Sequence, residues 1–181
     1  MKSICVFCAA KVGIQDGYCD AARVLARELA LRNITLIYGG TNVGVMGALA
    51  DTMLSLGGGV VGVIPKSMIE RGIVQPNLSE LIVVNTLTER KDIMAERADG
   101  FIALPGGFGT LDELFDQLSR SQLNIHQKPI ALLNTLGYFD ALLVFISNAE
   151  QQGLLAREHR ELLIDHDSPK AVIDRMVKLW E

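Results

Sequence analysis

Apolar residues along the chain follow two alternating patterns: short runs rich in β-branched residues, and longer segments with helical spacing. This alternation is typical of β-α-β units, in which helices cover both faces of a parallel sheet. The short runs predict strands at residues 3–8, 34–38, 60–64, 81–84, 100–104, 129–133 and, with a weaker pattern, 162–165. The longer segments predict helices at residues 16–32, 43–56, 88–98, 110–123, 138–152 and 168–180. The pattern therefore predicts an α/β, Rossmann-like fold with a mostly parallel sheet.

This pattern continues without a repeat, a low-complexity tract or a linker, so we expect residues 1–181 to form a single Rossmann-like domain. A composition of 49% hydrophobic and 21% charged residues fits a globular protein with a substantial core. Residues 65–79 are the longest segment without clear periodicity. Loops of this length are often functional.

Charge and hydropathy narrow the classes of partner. Seventeen Lys and Arg against 21 Asp and Glu give a net charge of −4, so no global basic field attracts nucleic acid. Any phosphate binding must therefore be local. No apolar stretch is long enough to span a membrane, and no leader pattern is found. We expect a cytoplasmic protein that binds neither nucleic acid nor membrane.

The cysteines and histidines show neither disulfide nor metal-ligand spacing. Cys5 and Cys8 lie in an apolar run, and residues three apart on a strand point to opposite faces. With Cys19 they are expected to be buried, reduced thiols without redox or metal chemistry. The histidines are expected in loops or at the surface: His126, His159 and His166. We therefore expect no metal site.

The strongest functional signal is the sequence PGGFGTLDE at residues 105–113, which follows a predicted strand and opens a predicted helix. Glycines permit a tight turn and a close approach of backbone to ligand, and the first N–H groups of a helix are unpaired donors at its positive end. We interpret the segment as a phosphate cradle. Its candidate contacts are Gly106, Gly107, Phe108, Gly109 and Thr110.

Glu113, in the same segment, has two interpretations. Thr110 and Glu113 match a capping box, in which the glutamate stabilises the helix by about 1 kcal/mol and does no chemistry. Alternatively, the carboxylate faces a ligand. The segment has more glycines than a cap needs, and each costs roughly 0.5–1 kcal/mol of conformational entropy. This excess favours a ligand site.

Arg90 and Lys91 lie at the start of the helix predicted at residues 88–98. Cations there oppose the helix macrodipole by roughly 0.3–1 kcal/mol each, which indicates an anionic partner. Arg90 lies one turn before Met94, at the edge of the apolar stripe, and is expected to face a site. For Lys91 the sequence favours neither a direction toward the site nor one toward the solvent.

A second glycine-rich segment, GGTNVGVMG at residues 39–47, also follows a predicted strand and opens a helix. Gly39 and Gly40 are candidates for a second wall of the same crevice, because ligands of open α/β sheets bind at the carboxyl ends of strands. The segment lacks the spacing of a dinucleotide fingerprint or a P-loop. Close helix packing explains Gly44 and Gly47 equally well.

Several motifs together resemble those of the LOG family, which is often mislabelled lysine decarboxylase. The motifs are ERK with Met94 at residues 89–94, DGFIALPGGFGT with Glu113 at 99–113, YGG at 38–40, GVMG with Asp51 at 44–51, and QL at 122–123 followed by His126, Lys128, Pro129 and LLN at 132–134. The resemblance covers nearly the whole chain.

The resemblance implies a phosphoribohydrolase that cleaves the N-glycosidic bond of cytokinin riboside 5′-monophosphates, and often of AMP, releasing free base and ribose 5-phosphate. It implies that Arg90 and Glu113 are the catalytic pair and that the protein is a homodimer. We expect neither a metal nor an organic cofactor. Arg90 would contact either the phosphate or the departing base, with Lys91 and Ser119 as candidates for second contacts.

Two segments depart from the family pattern. Ala9-Ala10-Lys11 stands where the family usually has Gly-Ser-Ser, so two hydroxyls are lost and a cation appears. Ser119-Arg120 stands where the family has Thr-Trp, which exchanges an aromatic side chain for a charge. These departures bear on phosphate contacts and substrate choice. Milder departures are Thr41, Phe108 and Asp112.

Glycosidic hydrolysis passes through an oxocarbenium-like transition state, which a carboxylate such as Glu113 can stabilise. Because a helix N-terminus favours the charged form, we expect a base or an electrostatic stabiliser and not a general acid. The alternative function is a carrier that binds a nucleotide or molybdenum cofactor through the same loops without cleaving it, since fold alone does not fix function. The presence of both Arg90 and Glu113 favours the enzyme.

Overall fold

The computed structural model describes residues 2–180. Its strands are β1 (Ser3–Phe7), β2 (Thr35–Tyr38), β3 (Val60–Pro65), β4 (Glu80–Val84), β5 (Gly100–Ala103), β6 (Ile130–Leu133) and β7 (Leu163–His166). They form one sheet in the order β4-β3-β2-β1-β5-β6-β7, and every neighbouring pair is parallel. The predicted α/β fold class is confirmed.

The helices are α1 (Gly17–Leu31), α2 (Gly44–Ser55), α3 (Lys66–Ile69), α4 (Leu87–Arg97), α5 (Phe108–Gln122), α6 (Asp140–Gln151), α7 (Arg157–Arg160) and α8 (Pro169–Lys178), with a 3₁₀ turn at Thr135–Gly137. Helices α1, α2 and α8 pack on one face of the sheet, and α4, α5 and α6 pack on the other. Within residues 2–180 no helix has both the length and the apolar character needed to cross a membrane.

In the central strand β1, every residue after Ser3 is apolar. Ile4 and Val6 belong to the core on the α1 face, whereas Cys5 and Phe7 belong to the core on the α5 face. A parallel strand that is covered on both faces has no solvent-facing side, so successive residues are all apolar.

The strand order reverses at β1, which lies between β2 and β5. The connection after β1 leads to α1 on one face of the sheet, and the connection after β5 leads to α5 on the other face. A crevice opens between these two connections. Such a switch point is the usual ligand position in an open α/β sheet. The segment after β1 and the glycine-rich segment 105–109 after β5 both lie there.

Some helix boundaries differ from the prediction. Helix α5 begins at Phe108 with Gly107 as its N-cap, so Thr110 lies inside the first turn and the capping-box interpretation of Thr110 and Glu113 is wrong. Helix α6 begins at Asp140 because the 3₁₀ turn precedes it. The four-residue helices α3 and α7 were not predicted, since four residues are too few to show periodicity.

All three cysteines are buried and free. Cys5 and Cys8 belong to opposite cores, as their strand spacing predicts, and burial raises the pKa of both thiols. The histidines were expected in loops or at the surface, but all three are half-buried. The ring of His126 lies 5.4 Å from that of Phe101, and burial lowers the pKa of His126.

Candidate active site

A cavity of about 580 Å³ opens at the carboxyl ends of the central strands. The segment after β1, the segment after β2 and the glycine loop after β5 form much of its wall. Further lining residues come from the connection between β3 and β4 and from the turn before α6. The cavity therefore occupies the crevice that the strand order creates.

The N-terminus of α5 forms one wall. The Leu111 N–H donates to the Gly107 carbonyl at 3.1 Å, whereas the N–H groups of the first three helical residues precede any intrahelical acceptor. A Cβ on residue 106 would overlap Thr110 Oγ1, so this position requires glycine. The Tyr138 hydroxyl donates to the Gly106 carbonyl at 2.8 Å and ties the loop to the turn before α6. The result is a set of N–H donors held in a rigid turn.

Arg90 reaches the cavity from the start of α4. The helix is capped by Thr86, whose Oγ1 accepts the Glu89 N–H at 3.0 Å. Glu89 in turn accepts the Asn85 N–H at 2.8 Å. One residue further on, the Arg90 Nε donates to the Val63 carbonyl at 2.9 Å, which ties the guanidinium to the end of β3.

The central feature is an ion pair between α4 and α5. Arg90 Nη1 lies 2.6 Å from Glu113 Oε1, and the two side chains are only 14% and 11% exposed. Both residues line the cavity. A charge-assisted hydrogen bond with this burial holds both groups in one orientation. Glu113 is thus engaged with Arg90 and not with the Thr110 backbone.

Burial raises the pKa of Glu113, although the Arg90 charge and hydrogen bond oppose the shift. The expectation that the charged form would be favoured is therefore wrong. Glu113 is the sixth residue of α5, beyond the first turn in which the macrodipole acts. Desolvation consequently has the larger effect, and the carboxyl group can exchange a proton at a higher pH than an ordinary glutamate.

The structure brings most of the predicted site residues together around this pair. Those that line the cavity are Gly39, Arg90, Gly106, Gly107, Gly109, Thr110 and Glu113. Gly40, Lys91, Phe108 and Ser119 do not line it. Lys91 Nζ lies 3.0 Å from Asp112 Oδ2 on the outer side of α5, and Phe108 is 93% exposed.

Sequence reasoning missed much of the remaining wall. Met46, Met68, Ile73, Leu87 and Tyr138 line the cavity, together with two cations, Lys11 and Arg71. Several of these residues lie in the 65–79 connection, which the sequence marked only by its lack of periodicity. Lys11 was marked as a departure from the family pattern.

The glycines after β2 divide into two roles. Gly39 lines the cavity. Gly44 has a positive φ of 62°, and a Cβ there would overlap the Ala10 backbone. A Cβ on Gly47 would overlap the Asn42 carbonyl. Both glycines therefore serve close packing, although against loop backbone and not against another helix.

The fold and the cavity define a Rossmann-like α/β protein with unpaired N–H groups at the start of α5 and a buried Arg-Glu pair at the switch point. The family model described as "Possible lysine decarboxylase" matches residues 46–176. Among similar curated proteins, cytokinin riboside 5′-monophosphate phosphoribohydrolase LOG1 of Arabidopsis thaliana is 41% identical over 97% of this chain and 82% of its own length. LOG2 of the same plant is 44% identical over 90% and 76%. The chain belongs to this family, the LOG family.

Solved structures with the same fold include molybdenum cofactor proteins. The molybdenum cofactor binding protein from Rippkaea orientalis has a TM-score of 0.75 and 24% identity, and covers 100% of this chain and 99% of that one. The molybdenum cofactor carrier protein of Chlamydomonas reinhardtii has a TM-score of 0.75 and 20% identity, covering 99% of each. At these identities the similarity establishes the fold alone.

Proposed function

We propose that this protein hydrolyses the N-glycosidic bond of purine riboside 5′-monophosphates, including AMP and cytokinin riboside monophosphates, to free base and ribose 5-phosphate. The observation that carries the proposal is the buried Arg90-Glu113 pair beside the helix start of α5 in one cavity. The phosphoribohydrolase names of relatives at about 40% identity support it.

The proposed substrate places its 5′-phosphate at the start of α5. Gly106, Gly107, Gly109 and Thr110 line the cavity there, and the free N–H groups with the positive helix end favour an anion. The ribose then extends toward Glu113, which follows Thr110 by about one turn of the same helix. The base would lie against the apolar wall that includes Met46 and Leu87.

In the proposed reaction, a water oxygen forms a bond to C1′ while the bond from C1′ to the base nitrogen breaks with its electron pair going to the base. One proton of the water is lost, and the base gains a proton. The Glu113 carboxylate would stabilise the positive charge that develops on the ribose and orient the water. Because its pKa is raised, Glu113 is also suited to accept that proton.

We place Arg90 beside the reacting bond and not at the phosphate. Its Nη1 is bonded to Glu113 and its Nε to the Val63 carbonyl, so the guanidinium is committed to holding the carboxylate. From this position it can also donate to the departing base. The other candidate contacts, Lys91 and Ser119, would act only from outside the cavity.

The experiment that tests the function is incubation of the purified protein with AMP or isopentenyladenosine monophosphate, followed by chromatography of the products. We expect free base and ribose 5-phosphate in equal amounts. Adenosine should have a much lower kcat/KM than AMP, because it lacks the phosphate that the α5 helix start accepts. Tight AMP binding without base release would instead support a nucleotide carrier.

We further propose a cytoplasmic homodimer. Apolar side chains are left exposed on the outer surfaces of α5 and α6, among them Phe108, Phe115, Val144 and Phe145. Several large exposed apolar residues on neighbouring elements are typical of an interface. Light scattering at micromolar concentration should give twice the chain mass, and Phe145→Asp should lower it. A monomer in the unmodified protein would contradict the proposal.

A further inference from the structure

The cavity contains more positive than negative charge. Among the residues that the structure describes, its cationic lining residues are Lys11, Arg71 and Arg90, and Glu113 is its single acidic one. Arg90 and Glu113 neutralise each other in their ion pair. Lys11 and Arg71 form no ion pair with any side chain of residues 2–180. The cavity is therefore left with two uncompensated positive charges, which suits a ligand carrying a dianion.

The two cations that the sequence suggested for this dianion are otherwise engaged. Arg90 is bonded to Glu113 and to the Val63 carbonyl. Lys91 lies outside the cavity, 3.0 Å from Asp112 and 4.0 Å from Asp116. The N–H groups of α5 are neutral donors. A full positive charge at the phosphate would therefore come from another residue.

The backbone at Lys11 is fixed between the two glycine-rich segments. The Ala9 N–H donates to the Pro105 carbonyl at 3.3 Å, and the Ala9 carbonyl accepts the Met46 N–H at 3.2 Å. The Cα of Gly44 packs against the peptide that joins Ala10 to Lys11, so closely that no Cβ would fit. The backbone of Lys11 is thus held in place, while its side chain is exposed.

The strand order assigns Lys11 and Arg71 to different sides of the cavity. Lys11 follows β1, which is the direct neighbour of β5 and therefore about 5 Å from it. Arg71 lies in the connection after β3, and β3 is three strand spacings, roughly 14 Å, from β5. The start of α5 follows β5, so by strand order Lys11 is the nearer of the two cations to it.

We infer that the Lys11 ammonium group binds the 5′-phosphate of the substrate, together with the N–H groups at the start of α5. This inference rests on the proposed function for the identity of the ligand. A lysine binds phosphate as a flexible point charge, so the side chain needs no fixed partner in the free protein. Lys11 would then be a binding residue that acts on substrate affinity and not on the chemical step.

The test compares Lys11→Met with Lys66→Met, which removes an exposed lysine at the start of α3 outside the cavity. Calorimetry with ribose 5-phosphate measures phosphate binding in the absence of a base. We expect Lys11→Met to raise its Kd about tenfold or more, and to raise KM for AMP while kcat stays within about twofold. Lys11→Arg should restore most of the affinity, and Lys66→Met should match the unmodified protein.

The inference is overturned if Lys11→Met and Lys66→Met bind ribose 5-phosphate equally well. It is also overturned if Lys11→Met lowers kcat with KM unchanged, because that result would place the lysine at the chemical step. The proposed function fails separately: if no monophosphate is hydrolysed, but Lys11→Met still weakens binding of AMP and ribose 5-phosphate, the phosphate assignment stands without the enzyme.

Discussion

Gly39 lies directly against the guanidinium group of Arg90. A Cβ on residue 39 would overlap Arg90 Nη2 and would approach Met46 Sδ to 2.8 Å. Gly39 does not have a positive φ, so its backbone conformation does not require glycine. Glycine is needed here because the arginine occupies the space of a side chain.

We therefore expect Gly39→Ala to displace Arg90 from Glu113 and to lower kcat about tenfold or more, or roughly 1.4 kcal/mol in the activation barrier. Steady-state kinetics with AMP measures the effect. Met46→Ala, alone and combined with Gly39→Ala, serves as the control. The double variant removes the contact with sulfur but not the one with Nη2, so recovery of kcat in it would show that Arg90 is not the cause.

Glu113→Gln should separate chemistry from structure. Glutamine keeps an oxygen that can accept from Arg90 Nη1 but cannot carry the negative charge. We expect kcat to fall by about 10²-fold or more, equivalent to about 2.7 kcal/mol, with little change in Tm. Asp112→Asn, at the neighbouring exposed carboxylate, should reduce kcat far less. An active Glu113→Gln variant with unchanged Tm would mean that the carboxylate has only a structural role.

The pH dependence should report the Glu113 pKa. The active carboxylate is lost as the pH falls through this raised pKa, so the acid limb of kcat/KM should lie above the ordinary value of 4.5. The Asp112 charge raises the Glu113 pKa and the Lys91 charge lowers it. Asp112→Asn should therefore move the limb to lower pH, and Lys91→Met should move it to higher pH.

This pair of variants provides its own control. The substrate phosphate also changes its charge near pH 6, but it does so equally with every variant. Shifts in opposite directions would thus be assigned to Glu113. An acid limb at the same pH in both variants would assign it to the substrate and remove Glu113 from the pH profile.

Gly109→Ala should dissociate stability from substrate affinity. Gly109 is the second residue of α5 and lines the cavity, and a Cβ there would meet nothing within 4 Å. Alanine should stabilise the folded protein by up to ~1 kcal/mol, since it favours the helix. We expect KM for AMP to rise because the methyl group projects into the space of the phosphate. Tm measures the change in stability, and steady-state kinetics measures KM. A Gly109→Ala variant with the KM of the unmodified protein would place the phosphate elsewhere.

The sequence predicted the fold and the glycine-rich part of the cavity wall because both depend on local patterns. Apolar strands alternated with helices, and the glycine segments lay at strand ends, which the topology of a parallel sheet brings together. Gly39, Arg90 and Glu113 meet for this reason, although they are far apart in the chain. The Arg90-Glu113 contact itself needed the structure, because no local pattern specifies which side chains pair between α4 and α5.

The errors have physical causes as well. The start of α5 was placed at Thr110 because threonine is a common N-cap, whereas the extended conformation of Gly107 lets the helix begin two residues earlier. Periodicity left the direction of Lys91 open between site and solvent, since its partner Asp112 comes from another helix. The Glu113 pKa was misjudged because desolvation depends on burial in three dimensions.

The alkylation rates of two buried cysteines can report where the folded protein opens. The Cys5 thiol is fully buried within the sheet, and its raised pKa leaves almost no thiolate to react. Cys8 lies at the cavity wall, where a bound ligand would cover it. Cys8 is also buried and its thiol pKa is also raised, so alkylation followed residue by residue in mass spectrometry would report two local openings separately, that of the sheet at Cys5 and that of the cavity wall at Cys8.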